Sequence, residues 1–192
     1  MIDYKALQKK LGITADGIPG PLTYAALFEW AGAKPAIAAA LGRSAAKHFD
    51  LYGITTPLRL AHFLGQTGHE SGGFRYTEEI ASGAAYEGRK DLGNTQPGDG
   101  KRFKGRGILM LTGRANYRSY GKALGINLEG DPQQAAEPET GLLIVLRYWS
   151  INSLNGLADA DNGDKITRKI NGGTNGSADR VIRTLRAKAL LS

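Results

Sequence analysis

Between Pro57 and Glu70 the chain keeps helical time: Leu60, Phe63, Thr67 and Glu70 fall three, four and three apart, and the run stops against Gly72-Gly73. On a helix opened by Thr56-Pro57 these positions form one stripe. The fold must bury that stripe, and the acid at its end projects from the same face. A carboxyl so placed is poorly solvated, and the unpaired carbonyls of a helix C-terminus oppose a further negative charge. Both effects favour its protonated form, which is what a proton donor needs.

The same periodicity predicts further helices. Leu7–Leu11 and Pro21–Leu27 read as two short ones around a turn-rich Asp16-Gly17-Ile18-Pro19-Gly20 loop, with Gly12 just past the first and Pro21 in the opening turn of the second. Ala33-Lys34-Pro35 marks a junction, followed by an Ala-rich helix over 37–52. Helices are also expected at 116–124, 138–151, 164–170 and 178–191, with Asn162 or Asp164 as a cap. In the last of these, Val181, Ile182, Leu185 and Ala189 form the apolar side and Arg180, Arg183, Arg186 and Lys188 the polar side. The expected packing is by the apolar side, although a basic amphipathic helix also leaves room for weak contact with an anionic membrane or envelope. Residues 80–107 are rich in Gly and poor in apolar anchors, so a long ordered loop or a pair of short strands is expected there. The fold class is therefore mainly α, with at most a small β-hairpin. Two domains are expected: a short helical module over 1–33 and a larger domain over 34–192.

A chain of 192 residues, 41% hydrophobic, can bury one core without covalent staples. With no cysteine it has no disulfides, Cys-ligated zinc, iron–sulfur cluster or thiol nucleophile. Its formal charge of +7 favours polyanionic surroundings. Nucleic acid is not the expected partner, because no basic strip interleaved with aromatic residues is present. The opening residues Met1–Lys5 lack the pattern of a secretory signal, so the chain is expected to be made in the cytoplasm.

Metal and phosphate sites are not expected. His69-Glu70 would need a second histidine one turn after the first to hold zinc, and that place is Gly73. Gly105-Arg106-Gly107 and Gly100-Lys101 each lack partners that a phosphate loop requires. Asp159, Asp161 and Asp164 fall out of register with a calcium loop. Carboxylates remain. Glycoside cleavage needs one protonated acid and one ionised partner, about 5 Å apart for a covalent route or about 6.5–9.5 Å apart for an inverting route through water. Glu79, nine positions after Glu70 and near Arg75, Arg89 and Lys90, is the expected partner, with Glu78 as its rival.

Several separated motifs carry a resemblance: His69-Glu70-Ser71-Gly72-Gly73 with Glu79; Lys104-Gly105-Arg106-Gly107 through Leu111-Thr112 to Asn116-Tyr117; Ile170-Asn171-Gly172-Gly173; and Asp179-Arg180. Over roughly residues 56 to 191 the chain resembles bacteriophage-type endolysins of glycoside hydrolase family 19, the lysozyme-like family that also holds plant and bacterial chitinases. The resemblance implies a two-lobed lysozyme-like helical domain, no cofactor, and an inverting reaction with Glu70 as general acid and Glu79 as general base. It implies that Thr112 helps hold the attacking water, that His69, Tyr86, Asn116 and Asn171 contact sugar, and that Arg180 braces the acidic pair and favours the ionised base. Met110 departs from the pattern, standing where the family usually has Gln. Residues 1–33 resemble about half of a type-one peptidoglycan-binding module. The expected substrate is thus the β-1,4 link between N-acetylmuramic acid and N-acetylglucosamine in peptidoglycan, cut by a monomer that reaches the periplasmic wall through a holin-like pore. Chitin hydrolysis and non-catalytic glycan binding are the alternatives.

Overall fold

The structure is a computed structural model describing residues 1–192. It is 60% helix and 2% strand, in agreement with the mainly α class read from the sequence. The chain divides into two compact units, one formed by Met1–Arg75 with Tyr148–Ser192 and the other by Tyr76–Arg147. No helix is long and apolar enough to cross a membrane.

The first unit begins with α1 (Tyr4–Lys10) and α2 (Pro21–Trp30). Asp3 caps α1 by accepting from the Ala6 N–H, and Pro21 opens α2. The loop between them is built on buried Gln8. Its amide donates to Asp16, Ile18 and Thr23 and accepts from the Gly17 N–H. Four bonds on one amide replace the apolar contacts that so short a pair of helices lacks. Helix α3 (Pro35–His48) follows and packs on α2. Residues 1–33, expected as a module of their own, lie in the first compact unit together with 34–75 and 148–192.

Helix α4 (Pro57–Glu70) is capped by Thr56, whose hydroxyl accepts from the Arg59 N–H. Its stripe is buried as the spacing demands, with Leu60, Phe63 and Thr67 at 0% exposure. Phe63 sits within a chain of edge-on rings, 5.5 Å from Phe49 and 5.2 Å from Trp149, and Phe49 continues to Tyr24 at 5.1 Å. Each such pair adds about 0.5–1.5 kcal/mol beyond the area it buries. Ser71 ends the helix by donating to the Thr67 carbonyl and accepting from the Phe74 N–H.

Three later helices complete this unit: α8 (Leu154–Asp159), α9 (Gly163–Asn171) and α10 (Ser177–Leu191). Asn162 caps α9. Helix α10 lies against α4, but not by the side that its apolar pattern predicted. Arg180, Thr184, Ala187 and Leu191 are inside, while Val181, Ile182 and Leu185 are exposed. The reason is close approach at Gly65: a Cβ there would fall 2.0 Å from the Thr184 Oγ1 and 2.9 Å from its backbone nitrogen. At that approach a residue as small as Thr184 fits beside the neighbouring backbone, where Val181, Ile182 or Leu185 would bring a larger apolar side chain.

The second unit contains α5 (Asp99–Arg102), α6 (Arg114–Leu124) and most of α7 (Pro138–Ile151). Its core gathers Phe103, Leu111, Tyr117, Leu128, Ala135 and Ile144. The 80–107 stretch is ordered by bonds from side chains to backbone rather than by strands. Glu87 accepts from the Gly98 and Gly100 N–H groups, and buried Asn94 links the Tyr86 carbonyl to the Arg114 N–H. Arg114 clamps buried Asp99 and also reaches Glu129, which Arg118 grips from the other side. Two isolated antiparallel bridges, Glu78 to Arg106 and Arg106 to Leu111, are the only β pairing.

Candidate active site

Glu70 closes α4 with its side chain 23% exposed, and its surroundings are not apolar. Arg180, 2% exposed, donates from Nη2 to Glu70 Oε1. This corrects one expectation: the acid is held by a charged donor instead of being left poorly solvated. Of the acidic pair that Arg180 was expected to brace, the residue it holds within this unit is Glu70. The sequence pattern could not reveal this, because it assigned Arg180 to the solvated side of its helix. Arg180 has two further acceptors, Gln66 Oε1 at 2.9 Å and the Asn175 carbonyl at 3.3 Å. Gln66 in turn donates to Thr167 at 2.9 Å. A guanidinium anchored this way keeps its place whichever protonation state Glu70 adopts.

The other expected residues of this unit surround that centre. Asn171 donates to the same Asn175 carbonyl at 3.3 Å. His69 shares a 2.7 Å bond with Asp179, to which Arg183 also donates. Burial alone would raise the Asp179 carboxyl, but bonds from Arg183 and His69 outweigh it and hold the group below its usual range. The His69 ring lies so close to Gly176 that a Cβ there would be 2.1 Å from its Nε2. Gln66, Asn175 and Tyr148 were not expected as site residues. Gln66 carried the one available signal, since it lies four residues before Glu70 on the same helical face. Tyr148 is raised by burial and then by the negative charge of Glu70.

In the second unit Glu79 is held by neutral donors. The Gly105 N–H and the Tyr86 hydroxyl both donate to Oε2, at 2.9 and 3.1 Å. Burial, then the bond and charge of Glu79, raise the Tyr86 phenol, so it stays a donor at any ordinary pH. Gly105 is where the expected residues converge: a Cβ on it would fall 2.6 Å from Glu79 Oε2, 3.2 Å from Met110 Cβ and 3.3 Å from Thr112 Oγ1. Thr112 donates its proton to the Met110 carbonyl at 2.8 Å, which leaves the hydroxyl oxygen as an acceptor beside the carboxylate. Asn116 donates to the Thr112 carbonyl at 2.7 Å. Met110 itself adopts a positive φ of 51°.

Glu78 is occupied differently. It pairs with Arg106 Nε at 2.9 Å and with Lys104 Nζ at 3.4 Å, and its backbone bridges Arg106. Successive residues of an extended segment point to opposite sides, so Glu78 and Glu79 part company at this bridge. One staples the turn with salt bridges. The other is a carboxylate with neutral donors and a hydroxyl acceptor beside it, the surroundings in which a water can be bound and deprotonated.

No family model matches the chain. Among curated relatives, a glycosyl hydrolase family 19 domain-containing protein of Haemophilus influenzae is 30% identical over 159 residues, covering 67% of this chain and 78% of that protein. An endochitinase of Arabidopsis thaliana is 38% identical over 132 residues, covering 68% of this chain and 45% of the relative, so the chain spans less than half of that protein's length. Among solved structures, chitinase C from Streptomyces griseus superposes with a TM-score of 0.61 at 19% identity, covering 99% of this chain and 76% of that one, which extends the agreement to the fold. With the helical architecture and these relatives together, the chain belongs to glycosyl hydrolase family 19.

Proposed function

We propose that the protein is an endolysin that hydrolyses β-1,4 links between N-acetylmuramic acid and N-acetylglucosamine in bacterial peptidoglycan, by inversion through a single water. Glu70 delivers a proton to the departing sugar oxygen, and Arg180 stabilises the carboxylate left behind. Glu79 takes a proton from the water, which Thr112 orients by accepting its other hydrogen. His69, Tyr86, Asn116 and Asn171 are assigned to contacts with the sugar chain. The observation that carries the reading is the contrast between the two acids. One is seated on a fixed cation able to absorb the charge its deprotonation creates, and the other lies among neutral donors next to a free acceptor.

The substrate is inferred from the resemblance of residues 1–33 to a wall-binding module and from the net charge of +7, which suits a polymer carrying acidic peptides. Chitin is the second reading, favoured by the endochitinase among the relatives and the chitinase fold of the solved neighbour. Purified peptidoglycan sacculi and chitin oligomers, assayed side by side for new reducing ends, separate the two. Faster release from sacculi is expected, with the α-anomer as first product. Faster release from chitin oligomers would overturn the wall reading. Glu70→Gln should lower either activity by about 10²–10⁴-fold, and undiminished cleavage by that variant would remove the assigned acid.

A further inference from the structure

The face that α10 turns to solvent is the reverse of what a docked helix presents. Val181, Ile182 and Leu185 are 52%, 57% and 56% exposed, and Ala178 and Ala189 extend the same ridge into solvent. Three large apolar side chains on one exposed helical face differ from the single exposed apolar residues found on any surface. The ridge has charged margins. Along one side Arg186 stacks over the half-buried Trp30 ring, 5.4 Å from its centroid. Along the other, Lys188 is bound to Asp161. The neighbouring acids are matched one for one, Asp179 by Arg183 and Asp164 by Arg168, whereas Arg186 forms no ion pair.

We infer that this ridge is a docking surface for an anionic phospholipid membrane, with Val181, Ile182 and Leu185 entering the headgroup boundary and Arg186 beside Trp30 anchoring at the phosphate level. The margin has the chemistry of that boundary: an indole with one wet edge and a long cationic side chain that keeps its charge in water. A second copy of the chain fits less well. One helix face offers far less than the roughly 800 Å² per partner of a stable interface, and a two-fold contact there would bring the Arg186 side chains of both copies together. The inference does not depend on the glycosidase reading.

The test is sedimentation of the intact protein with phosphatidylglycerol vesicles against phosphatidylcholine vesicles, together with its tryptophan emission. Since Trp149 is fully buried, a shift in emission reports Trp30. Binding to the anionic vesicles with a blue shift is expected, weakening as salt screens the attraction. A Val181→Ser, Ile182→Ser, Leu185→Ser variant should bind about tenfold more weakly or worse, and Arg186→Gln should lose the preference for anionic lipid. Helicity and cleavage of soluble oligosaccharide should be unchanged in both. Equal binding by wild type and the triple variant would overturn the inference, as would absence of binding to anionic vesicles. Concentration-dependent self-association of the wild type, abolished by the triple substitution, would overturn it in favour of a second copy.

Discussion

The two units position a carboxylate by opposite means. In the first, Glu70 is fastened to a buried guanidinium that is itself tied to Gln66 and Asn175. In the second, Glu79 receives one backbone N–H and one phenol, while the salt bridges of that segment belong to its neighbour Glu78. The difference teaches that a charged clamp and a neutral cradle suit different tasks. A group that must end its reaction ionised gains from a permanent cation, whereas a group that must accept a proton is better left to neutral donors, which oppose protonation less than a fixed cation does.

The sharpest way to break the comparison is at the consecutive acids. Glu79→Gln should abolish turnover by about 10²–10⁴-fold while leaving thermal stability nearly unchanged. Glu78→Gln should leave turnover within about tenfold of wild type and lower stability, because it unpairs buried Arg106. Steady-state rates and melting curves on both variants decide it, and the reverse ranking would transfer the base role to Glu78. Next in size, Arg180→Met removes the cation beneath Glu70 and should cost about 3–5 kcal/mol in denaturant unfolding, the usual penalty for breaking a buried pair from one side. A loss under about 1 kcal/mol would mean that the clamp is dispensable.

A smaller effect concerns acid. Arg114 holds Asp99 below the ordinary carboxylate range, and bonds from Arg118 and Arg114 draw Glu129 down to about 2. Both groups are depressed in the folded state, so their contribution is fully present above about pH 4 and drains away as pH falls toward about 2. Hydrogen exchange should therefore show protection around 99–129 lost over that interval, and Glu129→Gln should flatten the dependence. Smallest of all, Tyr86→Phe removes one neutral donor from Glu79. It should cost about 0.5–1.5 kcal/mol, read as a drop in kcat with little change in melting temperature. A loss as large as that of Arg180→Met would erase the distinction between clamp and cradle.

The sequence made α4 legible because burial, cap and terminus all agree there: an apolar stripe, Thr56 before Pro57, and glycines after Glu70. Similar signals placed the opening of α2 at Pro21 and narrowed the cap of α9 to Asn162 or Asp164, of which the structure uses Asn162. Helix α10 was misread because apolar pattern ranks Val181 and Leu185 above Thr184. What decides its orientation is the missing side chain at Gly65, on a helix more than a hundred residues earlier. Helix α5 and the turns around it escaped notice because Glu87, Asn94 and Asp99 organise them through backbone bonds, which leave no period in the sequence. The opposed pointing of Glu78 and Glu79 depends on a bridge to Arg106, and bridge register is a property of two segments together.

Lys10, at the end of α1, donates its ammonium to the carbonyls of Ala189, Leu190 and Ser192, at the finish of α10. The chain's opening helix thereby buckles its closing one, the same rod that carries Arg180 to Glu70. Trimming or unfolding those first residues should slacken the grip of Arg180 on Glu70, the proposed acid, from a distance.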